Sequence, residues 1–138
     1  MKKNMLNVIT KAFVFDFDDT LALTDATVKV GGVALTPSEF NTYTLKAGES
    51  FDFSEFTKPS LILDGTPLSL IDLARAVSDE GHSVFILTAR ANCVASAIAE
   101  FLAGQGVAVN AVHCVGSATG GDIAKAKRKV LLSIIENF

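Results

Sequence analysis

Apolar runs and amphipathic segments alternate along the chain from about residue 11 onward. Three short runs rich in Val, Ile and Phe, "KAFVFDF", "HSVFILTAR" and "VNAVHCVG", predict buried strands. Apolar positions at helical spacing predict helices in residues 66–81 and 91–106. Residues 117–138 are predicted to form a glycine-containing loop followed by a last helix. Strands that alternate with helices of this length predict an α/β fold whose sheet is parallel and whose crossovers are right-handed.

The helix at residues 66–81 has the clearest boundary signals. Thr66 is predicted to cap it, Pro67 to occupy its first turn, and Gly81 to end it. Its predicted inward face consists of apolar residues at helical spacing: Leu70, Leu73, Ala74 and Val77.

Residues 24–60, between the first strand and this helix, form an insert of a different kind. "TVKVGGVALT" predicts two short strands joined at a glycine pair, and Thr36 with Glu39 three residues later predicts a capping box. The following stretch, "KAGESFDFSEFTKPS", has no clean period and is predicted to be irregular. Its aromatic residues are predicted to pin the insert onto the core, an exposed binding surface being the alternative: Phe40, Phe51, Phe53 and Phe56.

Composition narrows the class of protein. With 138 residues, 49% hydrophobic and 20% charged, the chain suits one globular domain spanning residues 1–138. A net charge of −3 argues against nucleic-acid binding driven by bulk charge. Cys93 and Cys114 lack metal-ligand spacing and are interpreted as reduced, buried residues of a cytoplasmic protein. The longest apolar runs are too short to span a membrane.

Polar side chains follow the ends of the predicted strands. Asp16 and Asp18 come directly after the first strand, in "AFVFDFDDTLAL", and Thr88 ends the second. Since the carboxyl ends of parallel strands meet at one edge of a sheet, these groups should converge. Arg90 is interpreted as a salt-bridge or surface residue. The loop "GSATGGD" follows the third strand, and the last helix carries four cations: Lys125, Lys127, Arg128 and Lys129.

Together these motifs resemble the haloacid dehalogenase superfamily, whose members are mostly phosphatases. Residues 16–20, "DFDDT", match the first motif of that family, Asp-x-Asp-x-Thr after an apolar strand. Thr88 matches the second motif, and Lys127, or otherwise Lys125, matches the lysine of the third. The resemblance covers residues 11–130 and implies a three-layer, doubly wound, Rossmann-like parallel sheet. It makes the insert at residues 24–60 a small cap, too short to form a large mobile domain.

The resemblance also implies a mechanism. Asp16 would attack the phosphorus of a phosphate monoester and form an aspartyl-phosphate, and Asp18 would act as general acid and then general base. Mg²⁺ would bind the Asp16 carboxylate and the Asp18 main-chain carbonyl. Thr88 would hydrogen-bond a phosphate oxygen, and Lys127 would hold Asp16 and the phosphate together. Main-chain N–H groups at the start of the last helix would add to phosphate binding. An open site could admit bulky phosphates, including proteins and nucleic-acid ends.

One part of the family pattern is not found in the sequence. The fourth motif, an acidic pair after a fourth strand that supplies a carboxylate to Mg²⁺, has no counterpart after Asp122. Without a fourth strand, the first strand would lie at the edge of the sheet although it carries no protecting charge or proline. This pattern favours a truncated form or a homo-oligomer assembled through that edge.

Other interpretations of the same residues remain open. Asp18 could form a turn, Thr88 could cap the second helix, and the lysines could be a solvated helix face. The competing function is a catalytically weak or inactive module that serves binding or assembly. A nucleotide-binding domain is disfavoured, because neither GxGxxG nor a P-loop pattern follows any predicted strand.

Overall fold

The computed structural model describes residues 10–116 and 122–138. Its strands are β1 (Ala12–Phe15), β2 (Ala22–Leu23), β3 (Val28–Val30), β4 (Val33–Leu35), β5 (Phe51–Asp52), β6 (Thr66–Pro67), β7 (Ser83–Thr88) and β8 (Ala111–Cys114). Its helices are α1 (Pro37–Thr42), α2 (Pro59–Leu63), α3 (Leu70–Asp79), α4 (Ala95–Gly104) and α5 (Ile123–Glu136), with 3₁₀ turns at Ser54–Thr57 and Asn92–Val94. None of the described helices is both long enough and apolar enough to cross a membrane.

A parallel sheet of three strands forms the centre of the fold, in the order β1-β7-β8. Phe15 of β1 pairs with Ile86 of β7, and Thr88 of β7 pairs with Cys114 of β8. The three strands are those that the apolar runs predict, and their parallel pairing confirms the predicted α/β class. All three therefore end at the same edge, where the polar residues were expected to meet.

One face of this sheet is covered by α3 and α4. Val84 and Ile86 are fully buried and point to the same face, because side chains alternate along a strand. They join a cluster that includes Phe17, Leu21, Ile62, Ile98 and Leu102.

The start and the inward face of α3 differ from the prediction. Thr66 and Pro67 do not begin the helix; as β6 they pair with β2, and α3 starts at Leu70 after Ser69. Leu70 and Leu73, predicted to be buried, are 40% and 45% exposed. The residues that face the core are Ile71, Ala74 and Val77. The predicted stripe was rotated because Leu70 and Ile71 are adjacent apolar residues, as are Leu73 and Ala74, so periodicity alone does not choose between them.

The C-terminus of α3 is closed as predicted. Gly81 has a φ of 87°, a conformation that favours glycine, and its N–H bonds to the Ser78 carbonyl. The next N–H, of His82, bonds to the Val77 carbonyl. These two bonds form a Schellman motif, which ends the helix and turns the chain into β7.

The hairpin predicted in the insert is confirmed. Strands β3 and β4 pair antiparallel around Gly31 and Gly32, which both have positive φ. The capping box is also present: the Thr36 hydroxyl accepts the Glu39 N–H, and the Glu39 carboxylate accepts the Thr36 N–H. The stretch predicted to be irregular is more ordered, because β5 pairs with β3 and α2 follows. We call residues 24–60 the flap.

The phenylalanines of the flap pack mainly on one another. Phe40 lies 4.9 Å from Phe51 and 5.5 Å from Phe53, measured between ring centroids, and Phe53 is 45% exposed. The prediction that these rings pin the flap onto the core is therefore wrong for this trio. Phe56 behaves differently and contacts Arg90.

A further correction concerns Cys93. It was predicted to be buried but is exposed.

Helix α5 contacts the face of the sheet opposite to Val84 and Ile86. Its neighbour Phe138 packs edge-on against Phe85, at a ring distance of 5.8 Å. In residues 10–116 and 122–138, no strand pairs with the outer edge of β1. Assembly through this edge stays a prediction.

Candidate functional site

A tight turn after β1 presents the two aspartates. The Phe17 carbonyl accepts N–H bonds from Thr20, Leu21 and Ala22 at 3.2, 2.9 and 3.2 Å. Asp19 adopts a φ of 62°, a conformation that Asp tolerates better than most residues. The chain therefore reverses within a few residues and places the polar groups at the carboxyl end of the sheet.

The side chain of Phe17 anchors this turn. It is fully buried and lies edge-on to Phe101 of α4 at a ring distance of 5.8 Å. The flanking residues Asp16 and Asp18 remain accessible, with side chains 47% and 26% exposed. The apolar residue between the two acids thus fixes the turn on the core while both carboxylates stay at the sheet edge.

Asp16 meets a cation from the far end of the chain. Its Oδ2 lies 3.3 Å from the Lys127 Nζ of α5, and its Oδ1 accepts the N–H of Phe17 at 2.7 Å. Lys125, the second lysine predicted for this role, is exposed, and its backbone N–H bonds to the Asp122 cap at 3.0 Å. The structure thus brings Lys127 to Asp16, in line with the first of the two predicted assignments.

Asp18 forms a bidentate ion pair with Arg90. The Arg90 Nε donates to Oδ2 at 2.9 Å, and an η-nitrogen donates to Oδ1 at 2.7 Å. Arg90 is only 3% exposed. The same guanidinium donates to the Phe56 carbonyl at 2.9 Å and to the Thr24 hydroxyl at 3.2 Å, and it lies 4.8 Å from the Phe56 ring centroid.

The importance of Arg90 was underestimated from the sequence. The interpretation of Arg90 as a salt-bridge residue is confirmed. Its interpretation as a surface residue is wrong, because Arg90 is buried. The available signal was its position two residues beyond Thr88, at the same sheet edge as Asp18. A cation placed there meets the acids that follow the neighbouring parallel strand.

Thr88, the predicted phosphate contact, lies at the end of β7 and is fully buried. Its Oγ1 accepts the backbone N–H of Arg90 at 3.2 Å. A hydroxyl that accepts one bond can still donate its hydrogen. A role for Thr88 in phosphate binding stays a prediction that requires the phosphate to approach this buried position.

The chain that follows β8 packs closely against the segment after Thr88. The Gly116 N–H bonds to the Arg90 carbonyl at 3.0 Å, and a Cβ at Gly116 would collide with the backbone of Ala89 and Arg90. Glycine is therefore required for this approach.

Most of the "GSATGGD" loop follows directly and lies outside the described residues. The last helix, whose first main-chain N–H groups were predicted to bind phosphate, begins at Ile123, and the Lys125 N–H is bonded to the Asp122 side chain. Phosphate binding by this helix start stays a prediction.

Asp16 offers ligands for the predicted Mg²⁺. Its carboxylate is exposed and has oxygen atoms of the type that Mg²⁺ prefers. The described part of the chain contains no group of three or more His, Cys, Asp or Glu residues that could hold a metal. Mg²⁺ often binds through one or two carboxylates, with water and substrate phosphate as further ligands. Asp16 fits that limited role.

Cys114 borders the site but is a poor candidate for its chemistry. Burial raises the pKa of its thiol; the neighbouring Cys93 adds to that increase, and Arg90 opposes it. The thiolate is the nucleophilic and metal-binding form, so a raised pKa makes Cys114 less reactive near neutral pH.

Comparisons of the chain with protein-family models, with curated proteins and with solved structures gave no match.

Proposed function

We propose that this chain is a phosphatase-type hydrolase of the haloacid dehalogenase kind, acting on a phosphorylated substrate through an aspartyl-phosphate on Asp16. The observation that carries the proposal is the ion pair between Asp16 and Lys127, residues 111 positions apart in the chain. The first acid of the "DFDDT" run thus meets the lysine that the family resemblance calls for. The proposal includes a three-layer doubly wound sheet, the flap as a small cap, and a cytoplasmic location.

The roles follow from the contacts. Asp16 supplies an exposed carboxylate oxygen for attack on phosphorus, and Lys127 adds positive charge beside that oxygen and the incoming phosphate. Asp18 accepts the proton of the water that hydrolyses the aspartyl-phosphate. Thr88 has a hydroxyl hydrogen that it can donate to a phosphate oxygen. Mg²⁺, held by Asp16, would neutralise phosphate charge when bound.

The central test is release of phosphate from an aryl phosphate in the presence of Mg²⁺. Asp16→Asn keeps the size of the side chain but removes the nucleophile, so activity should fall by at least about 1,000-fold, to background. Asp19→Asn is the matched control, because it makes the same change in the same turn at an exposed residue whose φ suits Asn. Equal activity in wild type and Asp16→Asn would refute the proposal.

A second pair of variants tests the lysine assignment. Lys127→Met should reduce kcat/KM by about 100-fold, since it removes a charge that stabilises the transferring phosphoryl group. Lys125→Met, an equivalent change two positions away at an exposed site, should have little effect. The reverse order would assign the role to Lys125.

The non-catalytic alternative is favoured by one observation, the engagement of both Asp18 oxygens by Arg90. An assay of phosphate release, together with calorimetry of phosphate binding, separates the two functions. An enzyme turns over the aryl phosphate, whereas a binding module would take up inorganic phosphate with Mg²⁺ and release no product. Absence of both turnover and binding would leave assembly as the remaining function.

A further inference from the structure

The outer edge of β1 is open in the described part of the chain. β1 pairs with β7 on one side, and no described strand pairs with its other side. The Lys11 carbonyl accepts the Ser83 N–H of β7. Because backbone groups alternate in direction along a strand, the N–H and C=O groups of Ala12 and Val14 point away from β7. Neither residue is charged, and an edge of this kind pairs readily with another strand.

Helix α5 borders the same edge and exposes apolar side chains. Leu131, Ile135 and Phe138, which we call the α5 stripe, line a groove of about 460 Å³ together with Ala12 and Val14. The three stripe residues are 37%, 66% and 59% exposed. The open edge of β1 and the α5 stripe therefore form one continuous surface.

Helix α5 buries little of its own surface in the described structure. Of its 14 residues, Ile134 alone is buried, whereas the shorter α4 buries four: Ala97, Ile98, Phe101 and Leu102. A helix in a protein is stabilised mainly by packing of its apolar face. The stripe thus offers apolar area that a partner can cover.

We propose that this surface binds a second copy of the chain, with the two β1 strands pairing antiparallel around a two-fold axis perpendicular to the sheet. In a two-fold interface the same residues meet from both sides, so each open edge supplies the hydrogen-bond partners of the other. The sheet becomes six-stranded, in the order β8-β7-β1-β1-β7-β8. Both α5 helices then lie on the same face of it, with their stripes next to the axis. A second copy therefore covers the backbone edge and the stripe at the same time.

The charges around this surface fit an antiparallel pair. Arg128 and Lys129 precede the stripe on α5, Glu136 follows Ile135, and all three charged residues are exposed. In two antiparallel α5 helices, the cations of one copy lie beside Glu136 of the other, and the cations of the two copies lie apart. Lys11, just before β1, is likewise placed at opposite ends of the paired strands. This complementarity favours a second copy over an unrelated partner.

The first test measures the mass of the full chain by sedimentation equilibrium, at concentrations up to about 100 µM, where micromolar association is complete enough to detect. We expect the mass of two chains. Ile135→Lys puts a charge into the stripe at a residue that is already exposed in one chain, so the fold should be kept. The dissociation constant should rise by at least about 100-fold.

Leu73→Lys is the matched control. Leu73 is 45% exposed on α3, which covers the opposite face of the sheet, so this variant should form the same dimer as the wild type. A single-chain mass for the wild type at every concentration would overturn the inference. A dimer that Ile135→Lys does not weaken would overturn it as well.

The second test reverses charges to examine the orientation of the two copies. Glu136→Arg should weaken the dimer by about tenfold, because it places like charges beside each other. Adding Arg128→Glu in the same chain should restore much of the affinity, since the pair is then present with its signs exchanged. If Glu136→Arg leaves the dimer unchanged, or the double variant shows no recovery, the antiparallel arrangement is wrong.

The third test locates β1 in the interface by hydrogen exchange at the Ala12 and Val14 amides. Both should be protected in the wild-type dimer and should exchange rapidly in Ile135→Lys. Protection in both proteins would mean that another segment of the same chain covers the edge, and rapid exchange in both would place the interface elsewhere. Either result would overturn the inference. None of these measurements uses catalytic activity, so the interface and the proposed function can fail separately.

Discussion

The central sheet and the flap at residues 24–60 are stabilised by different interactions. The sheet is packed against α3 and α4 through one continuous cluster of buried apolar side chains, centred on Val84 and Ile86. The flap buries Val28, Val30 and Leu35, which are not part of that cluster. It depends on these residues, on hydrogen bonds between its own segments and on contacts among exposed or half-buried aromatic rings.

The two regions meet at the candidate site. Arg90 follows the central strand β7 and bonds the Phe56 carbonyl of the flap, while its other donors hold Asp18 at the end of β1. The comparison teaches that a rigid part of the fold positions the acids and that a buried cation bonds the separately stabilised flap to one of them. Disruption of the core should therefore affect both regions, whereas disruption of the flap should remain local.

The largest effect is expected from Ile86→Ala. Ile86 is fully buried in the central strand, and truncating such a side chain costs about 2–5 kcal/mol in the free energy of unfolding. Urea denaturation followed by circular dichroism should show this loss in one transition. Leu132→Ala, at a residue 50% exposed on α5, is the matched control and should change stability by about 0.5 kcal/mol or less. Equal losses in both variants would contradict the assignment of the core.

The next effect is expected from Arg90→Met, which breaks the link between the regions. The cost should be about 2 kcal/mol, below the ~3–5 kcal/mol of a fully buried pair, because Asp18 is partly exposed. Hydrogen exchange should become faster at residues 51–57 of the flap while β7 stays protected. Arg75→Met removes a solvent-exposed pair with Asp72 and a bond from Nε to the Gln105 carbonyl, and should cost less, about 1 kcal/mol. Unchanged exchange in the flap would show that Arg90 does not attach it.

A smaller effect is expected from Phe51→Leu. The Phe51 ring contacts Phe40, Phe53 and Tyr43, and each such aromatic pair contributes about 0.5–1.5 kcal/mol. Exchange should increase in β3 and β5, with no change in the core strands. Phe138→Leu makes the same substitution at a residue 59% exposed and should leave the flap unaffected. A loss of protection throughout the sheet would contradict the independence of the two regions.

The smallest effect is expected from acid. The Thr27 N–H and hydroxyl bond to Glu55, and the Ser54 N–H bonds to Asp52; these bonds lower the pKa of both carboxyls from their ordinary values of 4.5 and 3.8. Their contribution to flap stability is therefore complete above those values and is lost as the pH falls through the lower pKa of the folded flap. Chemical shifts of the Thr27 and Ser54 amides between pH 6 and about 2 should report this loss, and Glu55→Gln should remove it at Thr27. A flap unchanged over that range would refute it.

Some features could be predicted from the sequence because their physics is local. The glycine pair of the hairpin, the capping box at Thr36 and the glycine end of α3 each depend on backbone geometry within a few residues. The DFDDT run after an apolar strand likewise indicated where the acids would lie. The predicted start of α3 was wrong because Thr66 and Pro67 pair with β2, more than forty positions away. The predicted face was wrong because adjacent apolar residues offer two possible stripes.

The sequence by itself determined the alternation of strands and helices, since hydrophobic periodicity follows from local geometry, and it determined which polar residues follow each strand. The tertiary structure decided which of the candidate partners those residues contact. The pairing of Asp16 with Lys127 and of Asp18 with Arg90 joins positions 111 and 72 apart. Such pairs form because parallel strands end at one sheet edge, where charges from distant segments meet. The buried Arg90 needs a charge partner because it has lost contact with water, whereas Asp16 stays exposed.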